Sequence, residues 1–358
     1  MESIENENLS TEVTEEDINN GIKDEFGVVY SKDGKRLLEG NSDLETYSIK
    51  EGTRVICEDA FSFCESLQQI TIPNSVICIG EDAFWCCKSL QQITIPNSVT
   101  SIENDAFYCC ESLQQIIIPD SVTNIGDGAF TCCINLNLKS NTNRFAITNK
   151  LLIDNIERRL ISYFGTDKCL IIPDSLTSIG HSAFFGCESL QQITIPDSIT
   201  SIGNGAFCGC KSLQQITIPD SVTKIENGTF SDCVSLQRIT IPDSVTNVCD
   251  FAFSDCKSLQ QITILDSVTN IGGWAFSDCK SLQQIIIPDS VTSIGERAFW
   301  RCESLKQITI PDSVTNIEYG VFDDCNSLQQ IIIPEGTTEK FKEMLDEDLW
   351  NKLIENQQ

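Results

Sequence analysis

A phenylalanine that recurs every 23 residues constrains the fold of this chain more than any other feature of its sequence. The series runs from Phe61 to Phe130 and resumes from Phe184 to Phe322, and only the step from Phe130 to Phe184 is longer. Each of these eleven phenylalanines is followed three residues later by a cysteine, and each cysteine three residues later by a leucine. Units of 23 residues are too short to enclose a core alone, so equivalent units must stack and bury each other's apolar side chains. The sequence therefore predicts a solenoid.

Each repeat unit begins with a short strand and continues into a second apolar edge. In one unit, Ile193 and Ile195 alternate as in a strand, and Pro196 ends it because proline has no N–H to donate. All ten prolines of the chain occupy this repeat position. Ile199 and Ile202 then form a second inward-facing edge, which we expect to be irregular or short-helical.

Two segments interrupt the repeat, and each has the pattern of a β-hairpin. The first has two apolar strands around Lys32-Asp33-Gly34, and an Asp-Gly tip is a strong hairpin signal. The second has the weaker tip Asp154-Asn155. The predicted order is an N-terminal hairpin cap at 26–43, a first block of repeats at 44–138, an inserted hairpin at 139–169 and a second block of repeats at 170–334.

The two ends of the chain differ in character. Residues 1–25 contain nine acidic side chains, one lysine and no apolar period, which predicts an acidic disordered leader. In residues 335–358, apolar side chains recur at helical spacing at Phe341, Met344, Leu345, Leu349 and Leu353. Thr338 stands where it can N-cap such a helix. We predict a C-terminal capping helix that covers the last apolar layer of the solenoid.

Charge and histidine content restrict the function. The chain has 52 acidic and 24 basic side chains, a formal net charge of −28, which disfavours nucleic acid or an anionic membrane surface as a partner. A single histidine, His181, leaves little material for a metal site or for nucleophilic catalysis. No apolar run approaches the roughly 18–20 residues of a membrane span. We predict a non-enzymatic protein without cofactor, metal or membrane span.

The nineteen cysteines admit more than one interpretation. Eleven share the repeat position beside the phenylalanine, where a reduced thiol suits a tight stack. Bridges between coils are within reach by distance, but parallel Cβ vectors make the disulfide dihedral awkward. Cys86, Cys109 and Cys132 form a second column in three successive coils, either as surface thiols or as soft-metal ligands. Zinc prefers four tetrahedral ligands to a straight row, which favours the thiols.

The repeats resemble a known class of protein. The pattern Leu-x-x-Ile-x-Ile-Pro-x-Ser-Val-x-x-Ile-x-x-x-Ala-Phe-x-x-Cys is similar to the BspA-like type of leucine-rich repeat, and the likeness extends roughly from Phe26 to Trp350. The resemblance implies an α/β-type leucine-rich-repeat solenoid of right-handed parallel coils of 23 residues with one strand each. It also implies a surface or secreted protein that binds other proteins, usually in cell adhesion, without enzymatic activity.

Partner binding must use positions that stacking does not need, and two surfaces qualify. On the concave strand face, the outward side chains include Gln192, Thr194, Gln215, Thr217, Arg238, Thr240, Gln261 and Thr263. After the repeat phenylalanine, an aromatic patch contains Trp85, Tyr108, Phe185, Trp274 and Trp300. Stacked polar side chains also stabilise parallel strands by themselves, and the aromatics also fit packing beneath a neighbouring loop. We predict a protein–protein interaction module that binds an unidentified protein through one of these surfaces.

The compartment is predicted from the start of the chain, which has neither the basic first residues nor the apolar stretch of a secretory signal. This favours the cytoplasm. The family resemblance supports the alternative of a cell-surface or secreted adhesin that is exported by a non-standard route. The oligomeric state is left open by the sequence.

Overall fold

Stacked parallel coils build both halves of the molecule. The computed structural model describes residues 9–356 and forms two compact units, Met1–Gly165 (unit 1) and Thr166–Gln358 (unit 2). Within each unit the repeating strands pair in parallel with partners 23 residues away, as Ile193 pairs with Ile216. The predicted solenoid is confirmed in each unit.

Unit 1 begins with a short helix and continues almost entirely in strands. Its elements are α1 (Glu15–Asn20), β1 (Ile22–Lys23), β2 (Val29–Tyr30), β3 (Arg36–Glu39), β4 (Thr46–Ser48), β5 (Val55–Ile56), β6 (Gln69–Thr71), β7 (Cys78–Ile79), β8 (Ser101–Ile102), β9 (Gln115–Ile118), β10 (Asn124–Ile125), β11 (Asn137–Ser140), β12 (Phe145–Thr148), β13 (Leu151–Asp154) and β14 (Arg159–Tyr163). The coils alternate between two faces, so β5, β7, β8 and β10 belong to one sheet and β4, β6, β9 and β11 to the other face.

Unit 2 repeats this pattern and ends in a short helical segment. Its elements are β15 (Cys169–Ile171), β16 (Ser178–Ile179), β17 (Gln192–Thr194), β18 (Ser201–Ile202), β19 (Gln215–Ile216), β20 (Lys224–Ile225), β21 (Arg238–Ile241), β22 (Asn247–Val248), β23 (Gln261–Ile264), β24 (Asn270–Ile271), β25 (Gln284–Ile286), β26 (Ser293–Ile294), β27 (Gln307–Thr309), β28 (Asn316–Ile317), β29 (Gln330–Pro334), α2 (Thr338–Met344), a 3₁₀ helix (Glu347–Lys352) and β30 (Leu353–Asn356). The odd-numbered strands β15 to β29 form the strand face of this unit.

The regular coils generally have two strands, where the sequence predicted one; in the coil of Gln92 an isolated bridge replaces the first of them. The edge through Ile199 and Ile202, expected to be irregular or short-helical, contains the two-residue strand β18, which pairs in parallel with β16. Backbone N–H and C=O groups at a buried edge need hydrogen-bond partners, and the neighbouring coil supplies them. The second strand was not predicted because two residues show no alternation of their own.

The core of each unit is a column of stacked phenylalanine rings. In unit 1 the rings from Phe61 to Phe130 have no solvent exposure, and their centroids are 5.1–5.5 Å apart with planes within 4° of parallel. In unit 2 the rings from Phe184 to Phe322 stack with centroids 5.0–5.8 Å apart. Each stacked pair contributes about 0.5–1.5 kcal/mol beyond the burial of its area. The phenylalanines that recur every 23 residues in the sequence are therefore the rings that stack on one another in the core.

In most repeats the cysteine after the core phenylalanine joins neighbouring coils through its thiol. Cys87 Sγ donates to the carbonyl oxygen of Phe61 at 3.1 Å, and Cys110 Sγ donates to that of Phe84 at 3.2 Å. The same contact recurs at 3.0–3.3 Å at Cys133, Cys210, Cys233, Cys256, Cys279, Cys302 and Cys325. A small apolar side chain with a weak donor fits this position because it fills the stack and satisfies a buried carbonyl.

The N-terminal segment corrects one prediction. Residues 1–8 lie outside the described residues, but residues 9–25, expected to be part of a disordered leader, are folded. Helix α1 begins with a capping box between Thr14 and Asp17, and the Arg36 guanidinium contacts Asp17 at 3.0 Å. Leu9 and Val13 pack against the hydrophobic cluster of the N-terminal hairpin. The acidic composition concealed this docking, because a few apolar contacts and one ion pair are enough to order a short segment.

Both predicted hairpins are present, and the inserted one is larger than expected. Strands β2 and β3 are antiparallel, with Gly34 in the turn at φ 71°. In the insertion, β13 pairs antiparallel with β14 and also with β12, so the antiparallel segment has three strands where the sequence predicted two. The extra strand Phe145–Thr148 pairs with the outer edge of β13, which would otherwise expose unpaired backbone groups.

The C-terminal cap also differs from the prediction of one helix over 335–358. Helix α2 covers only Thr338–Met344, and β30 (Leu353–Asn356) pairs in parallel with β29. Thr338 lies inside the helix, where its hydroxyl donates to Glu355 at 2.6 Å. Phe341 is fully buried as expected. A strand completes the cap because the last coil presents an open sheet edge as well as an open apolar layer. No helix in residues 9–356 is long and apolar enough to cross a membrane.

Candidate binding surfaces

The strand face of unit 2 presents every polar residue that the sequence predicted there. Its strands follow an exposed–buried–exposed pattern, with isoleucines such as Ile193 facing the core. The outward side chains on the exposed positions are Gln192, Thr194, Gln215, Thr217, Arg238, Thr240, Gln261 and Thr263. Alternation along each strand produces this arrangement, because successive side chains point to opposite faces of a sheet.

A groove opens on this face where the strand ladder is interrupted. Among the described strands, β19 pairs with β17 and β21 pairs with β23, but no ladder joins β19 to β21. The concavity measures about 990 Å³, and Gln215, Thr217, Arg238 and Thr240 line it. Arg238 also borders a second concavity of about 440 Å³ lined mainly by glutamines. The groove therefore offers hydrogen-bonding groups and one cation, without a deep apolar pocket.

Two turn positions in every coil have positive φ, which the sequence alone does not reveal. The first contains Asp59, Asp82, Asp105, Gly128, Ser182, Gly205, Gly228, Phe251, Trp274, Arg297 and Gly320, with φ between 51° and 69°. The second contains Phe63, Cys86, Cys109, Cys132, Gly186, Gly209, Asp232, Asp255, Asp278, Arg301 and Asp324, with φ between 53° and 71°. Glycine adopts this conformation without steric cost, whereas bulky side chains rarely do.

Bulky side chains at the first position, together with Tyr319 one residue before it, form a ladder in unit 2. Phe251 (φ 57°) and Trp274 (φ 59°) stack with centroids 6.0 Å apart and planes 13° from parallel. The Arg297 guanidinium lies 5.1 Å from the Trp274 ring and 5.4 Å from the Tyr319 ring. Phe251 is 47% exposed and Tyr319 is 66% exposed. We name these four residues the aromatic–arginine ladder.

Two further residues flank the ladder. The Trp300 ring meets that of Trp274 edge to face at 5.3 Å, and the Arg301 guanidinium lies 4.9 Å from the Trp300 ring. Arg301 also contacts Asp278 at 3.5 Å. The structure thus brings together Trp274 and Trp300 from the predicted patch and places Phe185 four coils before Trp274. Aligning the repeats shows the aromatics at Phe251 and Tyr319, but the positive φ that directs the first of them outward becomes visible only in the structure.

The predicted aromatic pair of unit 1 is stacked, and one of its members is not available to a partner. Trp85 and Tyr108 have centroids 4.2 Å apart, but Tyr108 is only 5% exposed, which corrects its assignment to an exposed patch. Burial, together with the neighbouring thiols of Cys132 and Cys109, raises the pKa of the Tyr108 hydroxyl. Trp85, from the preceding coil, covers the Tyr108 ring. The two aromatics therefore pack against each other and do not form an exposed pair.

In unit 1, ionisation is unfavourable for two aspartates at the first positive-φ position, Asp82 and Asp105. Burial and the nearby Asp59 raise the pKa of Asp82 to about 7, and burial with the neighbouring Asp82 raises the pKa of Asp105 to about 8. Both values lie above the ordinary 3.8, so the folded state retains protons that the unfolded chain releases between about pH 4 and pH 8. Their stabilising contribution is complete below pH 3.8 and is lost as the pH rises through 8.

We expect Asp105→Asn to stabilise the protein at high pH only. Asparagine accepts positive φ and carries no charge, so it removes the cost of ionising a buried carboxyl group. Thermal melts should give a higher Tm than the parent chain at pH 9 and an equal Tm near pH 4. Asp59→Asn, at the exposed equivalent position, is the matched control: it should change little at pH 4 and should raise the Tm less than Asp105→Asn at pH 9, where it relieves only the repulsion on Asp82. Equal effects at both pH values would contradict the assignment.

Comparison with protein-family models identifies the repeats. The model of the BspA type leucine-rich repeat region, in six copies, matches residues 34–151, 162–283 and 246–347, which is most of the chain. The chain belongs to the BspA-type leucine-rich-repeat family. The predicted resemblance is thereby confirmed, and with it the leucine-rich-repeat fold.

Solved structures agree with this assignment. A leucine-rich repeat protein from Eubacterium ventriosum is 24% identical over 86% of this chain and 92% of that chain, with a TM-score of 0.68, a likeness of fold. One from Bacteroides ovatus is 26% identical over 94% of this chain and 97% of that chain, with a TM-score of 0.51. A leucine rich cell surface protein from Faecalibacterium prausnitzii is 26% identical over 90% of this chain and 80% of that chain, also with a TM-score of 0.51. No curated protein matches the chain.

Proposed function

We propose that this chain is a non-enzymatic protein-binding module that recognises its partner through the aromatic–arginine ladder of unit 2. The main support for the proposal is that Phe251 and Trp274 have positive φ. Glycines occupy the equivalent positions in the two preceding coils, at Gly205 and Gly228. Bulky residues in this region of φ cost of order 1–3 kcal/mol each. Stacking of the coils does not require bulky residues at this position. We therefore attribute the conformational cost of Phe251 and Trp274 to a role in partner binding.

The chemistry of the ladder suits a protein partner. Tryptophan, tyrosine and arginine dominate the residues that contribute most to protein–protein affinity, since they bury large area at low entropic cost. Here Arg297 lies between the rings of Trp274 and Tyr319, so all three side chains are held in place before any partner arrives. A preorganised surface loses less conformational entropy on binding than a mobile one.

The strand face of unit 2 is the second candidate surface. Its support is the groove at the interrupted ladder, where Arg238 provides a positive charge beside glutamines, threonines and the carboxylates of Asp220 and Asp243. Such a face suits an extended partner that hydrogen-bonds along several coils, because it lacks a convergent pocket. The support for this surface is weaker than for the ladder, because stacked glutamines also stabilise the parallel strands themselves.

Substitution by glycine tests the ladder without disturbing the coil. Trp274→Gly with Arg297→Gly reproduces the residues that sister coils have at the same φ, so the fold should persist in circular dichroism melts. We expect immobilised variant protein to lose about 30-fold in affinity for the partner captured by the parent chain. Phe63→Gly, an exposed aromatic at positive φ in unit 1, is the matched control. Unchanged capture by the double variant, with loss in Arg238→Ala instead, would assign binding to the strand face.

Adhesion at a cell surface is the alternative function. It is favoured by the similarity to the Faecalibacterium cell surface protein, a solved structure with a TM-score above one half. Labelling of intact cells with a membrane-impermeant reagent separates the two proposals. Labelled protein supports the adhesin, whereas a pool found only in the cytosolic fraction supports an intracellular interaction module.

A further inference from the structure

Three half-exposed thiols form a column in unit 1 that neither the core nor the proposed binding surfaces use. Cys86, Cys109 and Cys132 occupy the second positive-φ position in three successive coils, with φ of 55°, 53° and 63°. The cysteines that follow them in the chain, such as Cys110, are fully buried and donate to the backbone of the preceding coil. Of these two neighbouring columns of thiols, one is therefore buried and the other is partly exposed to solvent. We call the column of Cys86, Cys109 and Cys132 the open column.

The coil spacing brings neighbouring members of the open column within bonding reach. The N–H of Cys86 donates to Tyr108 O at 2.8 Å, and that of Cys109 donates to Thr131 O at 3.0 Å, so the turns are hydrogen-bonded from coil to coil. Parallel backbones at this contact lie about 4.8 Å apart, inside the 4.4–6.8 Å range of Cα separations in disulfides. Cys86 and Cys132 are two coils apart, at about twice that separation, and lie outside it.

Side-chain contacts point the same way. The nearby Cys109 thiol raises the pKa of Cys86, the nearby Cys132 thiol raises the pKa of Cys109, and both Cys132 and Cys109 raise the pKa of the Tyr108 hydroxyl, so these side chains are close neighbours. No group of three or more metal-ligating side chains within residues 9–356 has the arrangement of a metal site. The spacing of the coils thus permits pairing, with Cys109 as the member common to both pairs, and the parallel Cβ vectors of stacked coils strain the bond that forms.

We propose that Cys109 is the shared residue of a thiol–disulfide site, in which oxidation joins it either to Cys86 or to Cys132. The oxidant is a small-molecule disulfide. One protein thiolate attacks it, forms a mixed disulfide and releases one small thiolate; the neighbouring protein thiolate then displaces the second. Two protein thiols lose two protons and two electrons, and one external disulfide becomes two thiols. Because both bonds need the Cys109 sulfur, only one forms in any molecule.

The environment also sets the pH dependence of the reaction. Burial, with the nearby Cys109, raises the pKa of Cys86 to about 11, and the hydrogen bond with Cys132, together with burial, raises the pKa of Cys109. Thiolate, the reactive form, is therefore scarce at neutral pH and increases about tenfold with each pH unit below the pKa. The site is slow to oxidise at pH 7 and responds to sustained oxidation or alkaline conditions.

Oxidation of the full chain with oxidised glutathione at pH 9 tests the site. After alkylation of remaining thiols, intact mass and peptide mapping should show one intrachain disulfide per molecule that contains Cys109, with a rate about tenfold lower at pH 8. Cys86→Ser should still form the bond between Cys109 and Cys132. Cys109→Ser should form neither bond and instead accumulate glutathione on Cys86 and Cys132. Serine accepts positive φ in this fold, as at Ser182.

Controls separate a misfolded variant from a wrong proposal. Circular dichroism melts establish that Cys109→Ser is folded, and if it is not, the double variant Cys86→Ser, Cys132→Ser replaces it. That variant should acquire one glutathione on Cys109 and no disulfide in the column. The proposal is overturned if the parent chain gains only glutathione adducts or no modification, or if a bond between Cys86 and Cys132 forms without Cys109.

Discussion

Replacing Phe107 by alanine is expected to lower the free energy of unfolding by about 3–5 kcal/mol. The ring has no solvent exposure and lies between Phe84 at 5.1 Å and Phe130 at 5.4 Å, so its removal opens a cavity within the column. Neighbouring coils are held at strand spacing by their hydrogen bonds and cannot close around the gap. Urea denaturation followed by circular dichroism measures the change.

The matched control for this variant is Phe63→Ala. Phe63 lies two coils earlier in the same unit but is 62% exposed, so its truncation should change the stability by no more than about 0.5 kcal/mol. A similar loss in both variants would mean that the phenylalanine column is not the source of stability in unit 1, and the stacking account of the fold would then be wrong.

Arg144→Ala should destabilise unit 1 by a similar amount, about 3–5 kcal/mol at pH 7. Asp154 has no solvent exposure, and Arg144 donates to its Oδ2 atom from Nε at 2.8 Å and from Nη2 at 2.7 Å. The backbone N–H groups of Ile156 and Glu157 donate to its Oδ1 atom at 2.9 and 3.1 Å. Removal of the arginine leaves a buried carboxylate with half of its partners.

The pH dependence identifies the cause of that loss. Although burial opposes it, the hydrogen bonds from Arg144 and the backbone lower the pKa of Asp154 below its ordinary 3.8. Its stabilising contribution is therefore present above pH 3.8 and is lost as the pH falls through the native pKa. Stability measured from pH 7 to pH 3 should show the parent and the variant converging at acid pH.

Two further variants test whether the unpaired charge of Asp154 causes the loss of stability. Arg144→Ala combined with Asp154→Asn should recover part of the stability, since the second change removes the unpaired charge. Lys88→Ala breaks an ion pair at 2.9 Å in which both side chains are about half exposed, and it should have no measurable effect. An effect of Arg144→Ala that does not vary with pH would show that lost packing of the guanidinium, not the charge, destabilises the protein.

Prediction of the candidate surfaces from sequence succeeded where alternation decides orientation. Gln215 and Thr217 were assigned to the outer face because side chains in a strand point to opposite sides, and both are exposed. The variable repeat position after the phenylalanine and the neighbouring Trp85 predict a surface site for Tyr108, but Tyr108 is buried. Arg297 was not assigned, because a lone arginine in a variable turn gives no signal until the Trp274 ring is seen beside it.

The ends of the chain show the same division. Leu9 and Val13 were overlooked among acids, although they dock against the hairpin. Leu353 was placed on a helix by its spacing from Leu349, but it begins strand β30. Helical spacing in a short segment competes with the open hydrogen-bonding edge of β29, and the edge prevails because its backbone groups have no other partner.

The amino-acid sequence by itself determined the repeat length, the identity of the core residues and the leucine-rich-repeat architecture, because a periodic apolar pattern can be buried only by stacking in register. The tertiary structure alone decided which turn residues adopt positive φ, which of them face outward, and which aromatic and thiol side chains meet. Those outcomes depend on the contact between one coil and the next, and hydrogen-bonded residues across that boundary are separated by about 22 to 26 positions in the chain, as in Ser244–Val222 and Cys233–Phe207.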